Sequence, residues 1–212
     1  MKARFGVVLC AATLATSPVA VAHPHVFVDT TLAVVVEDGR AVRVDVTWRW
    51  DDFFSLLIFA DKGLDPDGDA VLTQAELDQL QGFDFEVWPE GFEGDLYAYA
   101  AGDVKIPLEY PVIGEISVEE GRIVSRHSRA LDAPADGLEL LQYDPTYYVA
   151  YSVVPRVDVS DGCEAEVVPH DAEAAAEIVE EELNTMPEDM FEIMQVGRHF
   201  ADRVRISCAA SS

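Results

Sequence analysis

The chain has 212 residues, a formal charge of −26 at pH 7 and a hydrophobic fraction of 50%. That length and apolar content suit one domain of ordinary size behind a leader. The acidic balance excludes nucleic acid and anionic membrane surfaces as partners, because their phosphates would be repelled.

Residues 1–22 read as a secretory signal. Lys2 and Arg4 form a basic start, Phe5 to Leu14 an apolar centre, and Ala20-Val21-Ala22 a small-residue cleavage box. Cleavage after Ala22 predicts a periplasmic mature domain over residues 23–212. No later stretch is apolar enough to span a bilayer. Of the three cysteines, Cys163 and Cys208 follow the leader. An even pair in an exported chain predicts one disulfide rather than two thiolate ligands. It closes a loop of about 45 residues and stabilises by roughly 3–4 kcal/mol in the chain-entropy view.

Val26 to Val36 alternates, with Val26, Val28, Leu32, Val34 and Val36 on one face and His23, His25, Phe27 and Asp29 on the other. After the turn at Glu37-Asp38-Gly39-Arg40, Val42, Val44, Val46, Trp48 and Trp50 point one way and Arg43, Asp45, Thr47 and Arg49 the other. The two runs predict a hairpin with one buried face. The pattern then becomes helical. Asp51 and Asp52 cap and complement a helix over Phe53 to Ala60, and Thr73 to Leu80 is a second, short helix.

Signals are mixed from Phe85 to Pro107, apart from a strand at Leu96 to Ala100. Ile113 to Glu119 and Arg122 to Arg129 pair around Glu120-Gly121. Leu138 to Gln142 and Thr146 to Val154 flank a turn at Asp144-Pro145. Arg156 to Val159 and Cys163 to Val168 follow as strands, then an acidic helix from Asp171 to Leu183. A helix opening at Pro187 ends near Gly197 to Ala201, and Arg203 to Cys208 is the last strand. The order predicts an α+β fold: a mainly antiparallel β-sheet or sandwich, an EF-hand-like helix-loop-helix inserted over residues 51–81, and C-terminal helices.

The insertion carries the densest chemical pattern. Asp65-Pro66-Asp67-Gly68-Asp69-Ala70-Val71-Leu72-Thr73-Gln74-Ala75-Glu76 matches the twelve-residue EF-hand loop. Asp65, Asp67 and Asp69 stand at positions 1, 3 and 5, the Val71 carbonyl at 7, Thr73 at 9 and Glu76 at 12. Oxygen ligands at this spacing wrap one Ca²⁺, here expected to staple the insertion structurally. Ala70 stands at position 6, where the sharp turn favours glycine, and predicts strain.

The second pattern is His23-Pro24-His25. Residues i and i+2 of a strand share a face about 6.8 Å apart, so both imidazoles reach one metal. Cleavage after Ala22 adds the free amine of His23. Such nitrogen sets suit Zn²⁺, Ni²⁺, Co²⁺ and Cu²⁺. Pro24 has no amide proton to lose, which rules out the square-planar amidate site of some amino termini. Asp29 shares the face but lies about 13 Å beyond His25, too far for a direct ligand, and is expected to orient a ring instead. A third protein ligand is expected from a distant segment. His127 is the first choice because its strand can lie beside the first hairpin, ahead of His170 and His199. No nucleophile constellation, phosphate loop or dinucleotide fingerprint occurs, so a binding protein is expected and not an enzyme. Two other readings stand beside it: a copper protein or oxidase using His23 and His25 as a brace, and a Ca²⁺-stabilised interaction module.

Several stretches together carry a resemblance: the leader with His23 to Asp29, Trp48-Arg49-Trp50-Asp51-Asp52-Phe53-Phe54-Ser55, the Asp65 to Glu76 loop, Tyr143 to Ala150, and Gly162-Cys163. The chain resembles ZevA-like proteins, a periplasmic family of unassigned domain function encoded beside nickel/cobalt-type permeases. The resemblance implies an accessory protein that helps an inner-membrane permease handle Zn²⁺, Ni²⁺ or Co²⁺. It matches the histidine tip and the acidic loop as metal-site candidates and implies no catalytic residue.

Overall fold

The computed structural model describes residues 24–160, 162–185 and 195–209. The expected leader, His23 and the expected helix start at Pro187 lie outside them. The fold is α+β and rich in sheet. The first strand, β1 (Val26–Glu37), buries every second side chain, and β2 (Arg40–Trp50) returns antiparallel to it. The buried set on β1 is the one the alternation predicts, joined by Thr30. On β2 the parity differs at one end. A bulge between Ala41 and Arg43 turns Ala41 inward, so Val42 is only half-buried while Val44, Val46, Trp48 and Trp50 remain inside. One extra residue in a strand shifts the alternation in this way.

Helix α1 (Asp52–Lys62) follows directly. Asp51 is its N-cap and accepts from the Phe54 N–H at 2.8 Å, while Gly63 closes it in the left-handed conformation. Ser55 anchors the helix to the sheet, donating to the Asp51 carbonyl and accepting from the Ile123 N–H. Helix α2 (Gln74–Leu80) ends the insertion. A 3-10 turn at Phe83–Phe85 then leads to β3 (Leu96–Ala100) and to β4 (Val104–Ile106), a strand within the stretch of mixed sequence signals.

The remaining elements are β5 (Val112–Glu119), β6 (Arg122–Pro134), β7 (Glu139–Gln142), β8 (Val149–Val153), β9 (Asp158–Val159), β10 (Cys163–Val168), α3 (Ala172–Thr185) and β11 (Arg203–Cys208). Residues Gly197–Phe200 form a 3-10 turn. Strand β8 begins three residues later than its apolar run predicts. The Asp144 carboxylate accepts from the Thr146 and Val149 N–H groups, and Tyr147 has a positive φ of 61°, so the turn extends to Tyr148.

One sheet runs β5-β6-β2-β1-β8, with β9 also on β1; the other runs β10-β11-β7-β3-β4. The pairing of β1 with β8 and β9 is parallel, so the first sheet is mixed. Val28, Leu32, Val46 and Trp48 from the first sheet share one core with Leu96, Leu140, Val204 and Ile206 from the second. Cys163 and Cys208 pair in register across β10 and β11 and are disulfide-bonded.

The core is not wholly apolar. Arg129, on the inner face of β6, is buried. Its guanidinium donates to the backbone carbonyls of Glu93, Leu108 and Glu109 at 2.8, 3.3 and 2.6 Å and lies over the Trp88 ring. Gly94 fits this packing in two ways. Its φ is +71°, and a β-carbon there would lie 2.5 Å from Trp88 and 2.7 Å from the Arg129 guanidinium. Arg129→Met should therefore destabilise the protein by about 3 kcal/mol or more, since three carbonyls lose their donors at roughly 1 kcal/mol or more each. The urea-unfolding midpoint reads this, and an unchanged midpoint would show that the guanidinium holds nothing together.

Candidate metal sites

The acidic loop lies between α1 and α2. Asp65, Asp67 and Asp69 bring one carboxylate oxygen each to within 4.8 Å of one another. A Ca²⁺ shell of radius about 2.3–2.6 Å spans a comparable width, so hard oxygen donors at this separation fit that ion. The loop organises itself through Asp65, whose carboxylate accepts from the Asp69 and Ala70 N–H groups, both at 3.1 Å. Ala70 has a φ of 59°, the left-handed conformation that its place in the loop predicts. Glu76 faces the backbone. It accepts from the Asp65 N–H at 3.0 Å and from the Thr73 N–H and hydroxyl at 2.7 Å, and these Thr73 bonds lower its pKa. Thr73 is the N-cap of α2, and Val71 is exposed. Ala70→Gly removes strain of about 1 kcal/mol that the ion-free loop already carries and should raise the melting temperature of the ion-free protein by about 2–4 °C; an unchanged melting temperature would show that the turn stores no strain.

His25 stands exposed at the head of β1. Its N–H donates to the Tyr148 carbonyl at 2.9 Å, and its ring centroid lies 4.9 Å from that of Tyr148. The next pair in the ladder is Val26 with Val149. The Tyr143–Tyr148 turn thus positions the histidine. This turn is itself fixed by Asp144 and by Gly197, where a β-carbon would lie 1.7 Å from the Asp144 carbonyl oxygen. Asp29 forms an ion pair with Arg122 at 3.0 Å.

His127 is placed elsewhere. It lies on the inner face of β6, opposite Val46, and is 3% exposed. His25 lies on the outer face of the same sheet, so the two do not converge, contrary to the expectation that His127 completes the tip. The reason is parity: Ile123, Ser125, His127, Arg129 and Leu131 point inward together. The His127 ring sits 4.5 Å from Trp48 and 5.0 Å from Phe85, and neither nitrogen has a hydrogen-bond partner among the described residues. Burial, aided by the Arg129 charge, pushes its pKa down to about 3.

Two carboxyls that sequence reasoning missed share this interior. Asp84 is pushed up to about 6 by burial. Asp95 is pushed up to about 7, by burial first and by Asp144 second. The Tyr151 hydroxyl donates to Asp95 at 3.0 Å, and the Asp95 carbonyl accepts from the Tyr143 N–H and the Gln142 amide, both at 2.8 Å. Asp95 thereby ties the turn beneath His25 to the core. Its positive φ of 55° after Gly94 is set by tertiary packing, and nothing local in the sequence signals the role.

The other two histidines sit near the C-terminal segment. Asp202 accepts from the His170 N–H at 3.1 Å and lies 2.9 Å from its Nδ1, while its second oxygen accepts from the Val153 N–H. A carboxylate at this distance orients the ring through Nδ1, as carboxylates do for metal-bound imidazoles. His199 Nε2 lies 3.6 Å from Glu182.

The titration of the interior can be tested. Folding holds Asp95 protonated up to about pH 7, against 3.8 for an ordinary aspartate. The stability this contributes is complete below about 3.8 and is lost as pH rises through about 7. Asp95→Asn should therefore lose less melting temperature between pH 5.5 and 8.5 than the native protein, by at least about 3 °C. His127 carries the opposite sign: its contribution is complete above 6.5 and lost as pH falls toward about 3. His127→Leu should flatten the acid limb of the same curve and leave Zn²⁺ affinity unchanged. Loss of Zn²⁺ binding in that variant would return His127 to the ligand set.

The family described as "Protein of unknown function (DUF1007)" matches residues 8–208. No curated protein matches the chain.

Proposed function

The chain belongs to this family of unassigned function, and on that premise we propose that it is a periplasmic metal-binding accessory protein. It captures Zn²⁺, Ni²⁺ or Co²⁺ through the mature amino terminus and exchanges the ion with an inner-membrane nickel/cobalt-type permease. The observation that carries the reading is the pose of His25: exposed, at the first rung of a strand, held by the Tyr148 carbonyl. The His25 imidazole would hold the metal together with the amine and imidazole of His23. Such a site is incomplete, with open positions for a donor from the partner, which suits transfer better than storage. Among the described residues no helix is long and apolar enough to cross a membrane, and the disulfide is compatible with an extracytoplasmic location. The ZevA-like sequence pattern supports the permease as partner.

A second cation belongs to the same reading. The convergence of Asp65, Asp67 and Asp69 favours Ca²⁺ in the loop, where it would fix the insertion against the sheet. The donor set there is oxygen only and the set at the tip is nitrogen, so the two sites discriminate between hard and borderline ions.

The test uses protein processed to begin at His23, saturated with Ca²⁺ to mask the loop. His23→Ala/His25→Ala should bind Zn²⁺ and Ni²⁺ at least about tenfold more weakly by calorimetry, a loss of roughly 1.4 kcal/mol. Affinity in the native protein should also fall from pH 7.5 to pH 5.5, because imidazole binds metal only when neutral. Equal affinity in the double variant would sink the proposal.

A further inference from the structure

The apolar side chains of α1 do not all face the core. Phe59 is buried and Phe54 packs on Trp50, but Phe53, Leu56 and Leu57 are 76%, 52% and 53% exposed. With Ala60, also exposed, they occupy positions i, i+3, i+4 and i+7, one stripe along one side of the helix. Ordinary surfaces carry single apolar residues; a helix-spaced stripe of this kind marks an interaction site.

The charge around the stripe says what covers it. Asp52 stands exposed at one end and Asp61 at the other, about 14 Å apart at helical rise. The exposed Asp67 and Asp69 follow beyond Asp61. The cation on α1 itself, Lys62, is already paired with Glu86 at 2.7 Å. Nine residues are about two and a half turns, so Asp52 and Asp61 flank the strip on opposite sides, and an apolar strip flanked by carboxylates fits an apolar surface flanked by cations. A second copy would bring acid against acid in a two-fold contact, and an anionic lipid surface would be repelled.

We propose that the outer face of α1 is a docking site for a cationic amphipathic helix of a partner protein. The partner helix presents apolar residues at i, i+3, i+4 and i+7 spacing, with Lys or Arg roughly nine residues apart to meet Asp52 and Asp61. The inference goes beyond the metal reading and stands if that reading fails, because docking is measured without metal.

The probe is a synthetic 18-residue Leu/Lys peptide patterned as an amphipathic helix, titrated into the full mature protein with amide and methyl shifts recorded. Shifts should concentrate on Phe53, Leu56, Leu57 and Ala60. Phe53→Ser/Leu57→Ser leaves the charge unchanged and should weaken binding at least tenfold. Asp52→Asn/Asp61→Asn should weaken it several-fold at low salt and little at high salt. Val112→Ser, at a 68% exposed apolar residue on β5, should have no effect. All these positions are exposed, and melting curves check folding. The proposal is overturned if the Phe53/Leu57 variant binds as tightly as native, or if Val112→Ser weakens binding as much. It is also overturned if sedimentation shows the stripe joining two copies, or if it binds phosphatidylcholine/phosphatidylglycerol vesicles.

Discussion

A buried guanidinium with no carboxylate partner at hydrogen-bonding distance among the described residues holds the middle of this protein together. Arg129 is inside the sandwich, and its hydrogen bonds go to three backbone carbonyls. Burial lowers its pKa, yet arginine keeps its charge in proteins. The carbonyls come from Glu93, Leu108 and Glu109, in connections on either side of β3 and β4. Those connections have no ladder of their own, so the cation gives them a common anchor on the first sheet. The same anchor fixes Gly94 and, next to it, Asp95, through which the turn under His25 is tied to the core.

Polar groups continue along this inner face. Thr30, Trp48, Ser125, His127 and Tyr151 lie on the core side of the first sheet, with Asp84 and Asp95 nearby. Several of these atoms have no hydrogen-bond partner among the described residues. Buried polar groups of this kind favour a single arrangement, because any slip in register exposes the mismatch at high cost. The opposed titrations of His127 and of the two carboxyls follow from one cause, the removal of charge from water.

The first hairpin, the N-cap of α1, the acidic loop and the cysteine pair were legible because each is written in adjacent residues or in simple spacing. The bulge at Ala41 was not, because one inserted residue leaves a run of valines that reads equally well on either face. The place of His127 was hidden for a related reason. Ser125, His127 and Arg129 would ordinarily be assigned to solvent, and only their pairing with Trp48, Val46 and Val44 turns them inward. Asp95 meets Tyr151 across 56 residues of sequence, a contact that no local pattern encodes. The exposed stripe on α1 was invisible from the other side: its apolar residues look like core until the helix is seen to have more of them than the sheet covers.

The arrangement of β1 also has a mechanical consequence. The strand is hydrogen-bonded to β2 on one side and to the parallel strands β8 and β9 on the other. A pull on the residues ahead of Val26 runs along the strand axis and loads these ladders together, in shear. Peeling one bond at a time would need a force across the sheet instead. A partner can therefore tug at the amino-terminal tip while the strand behind it stays seated.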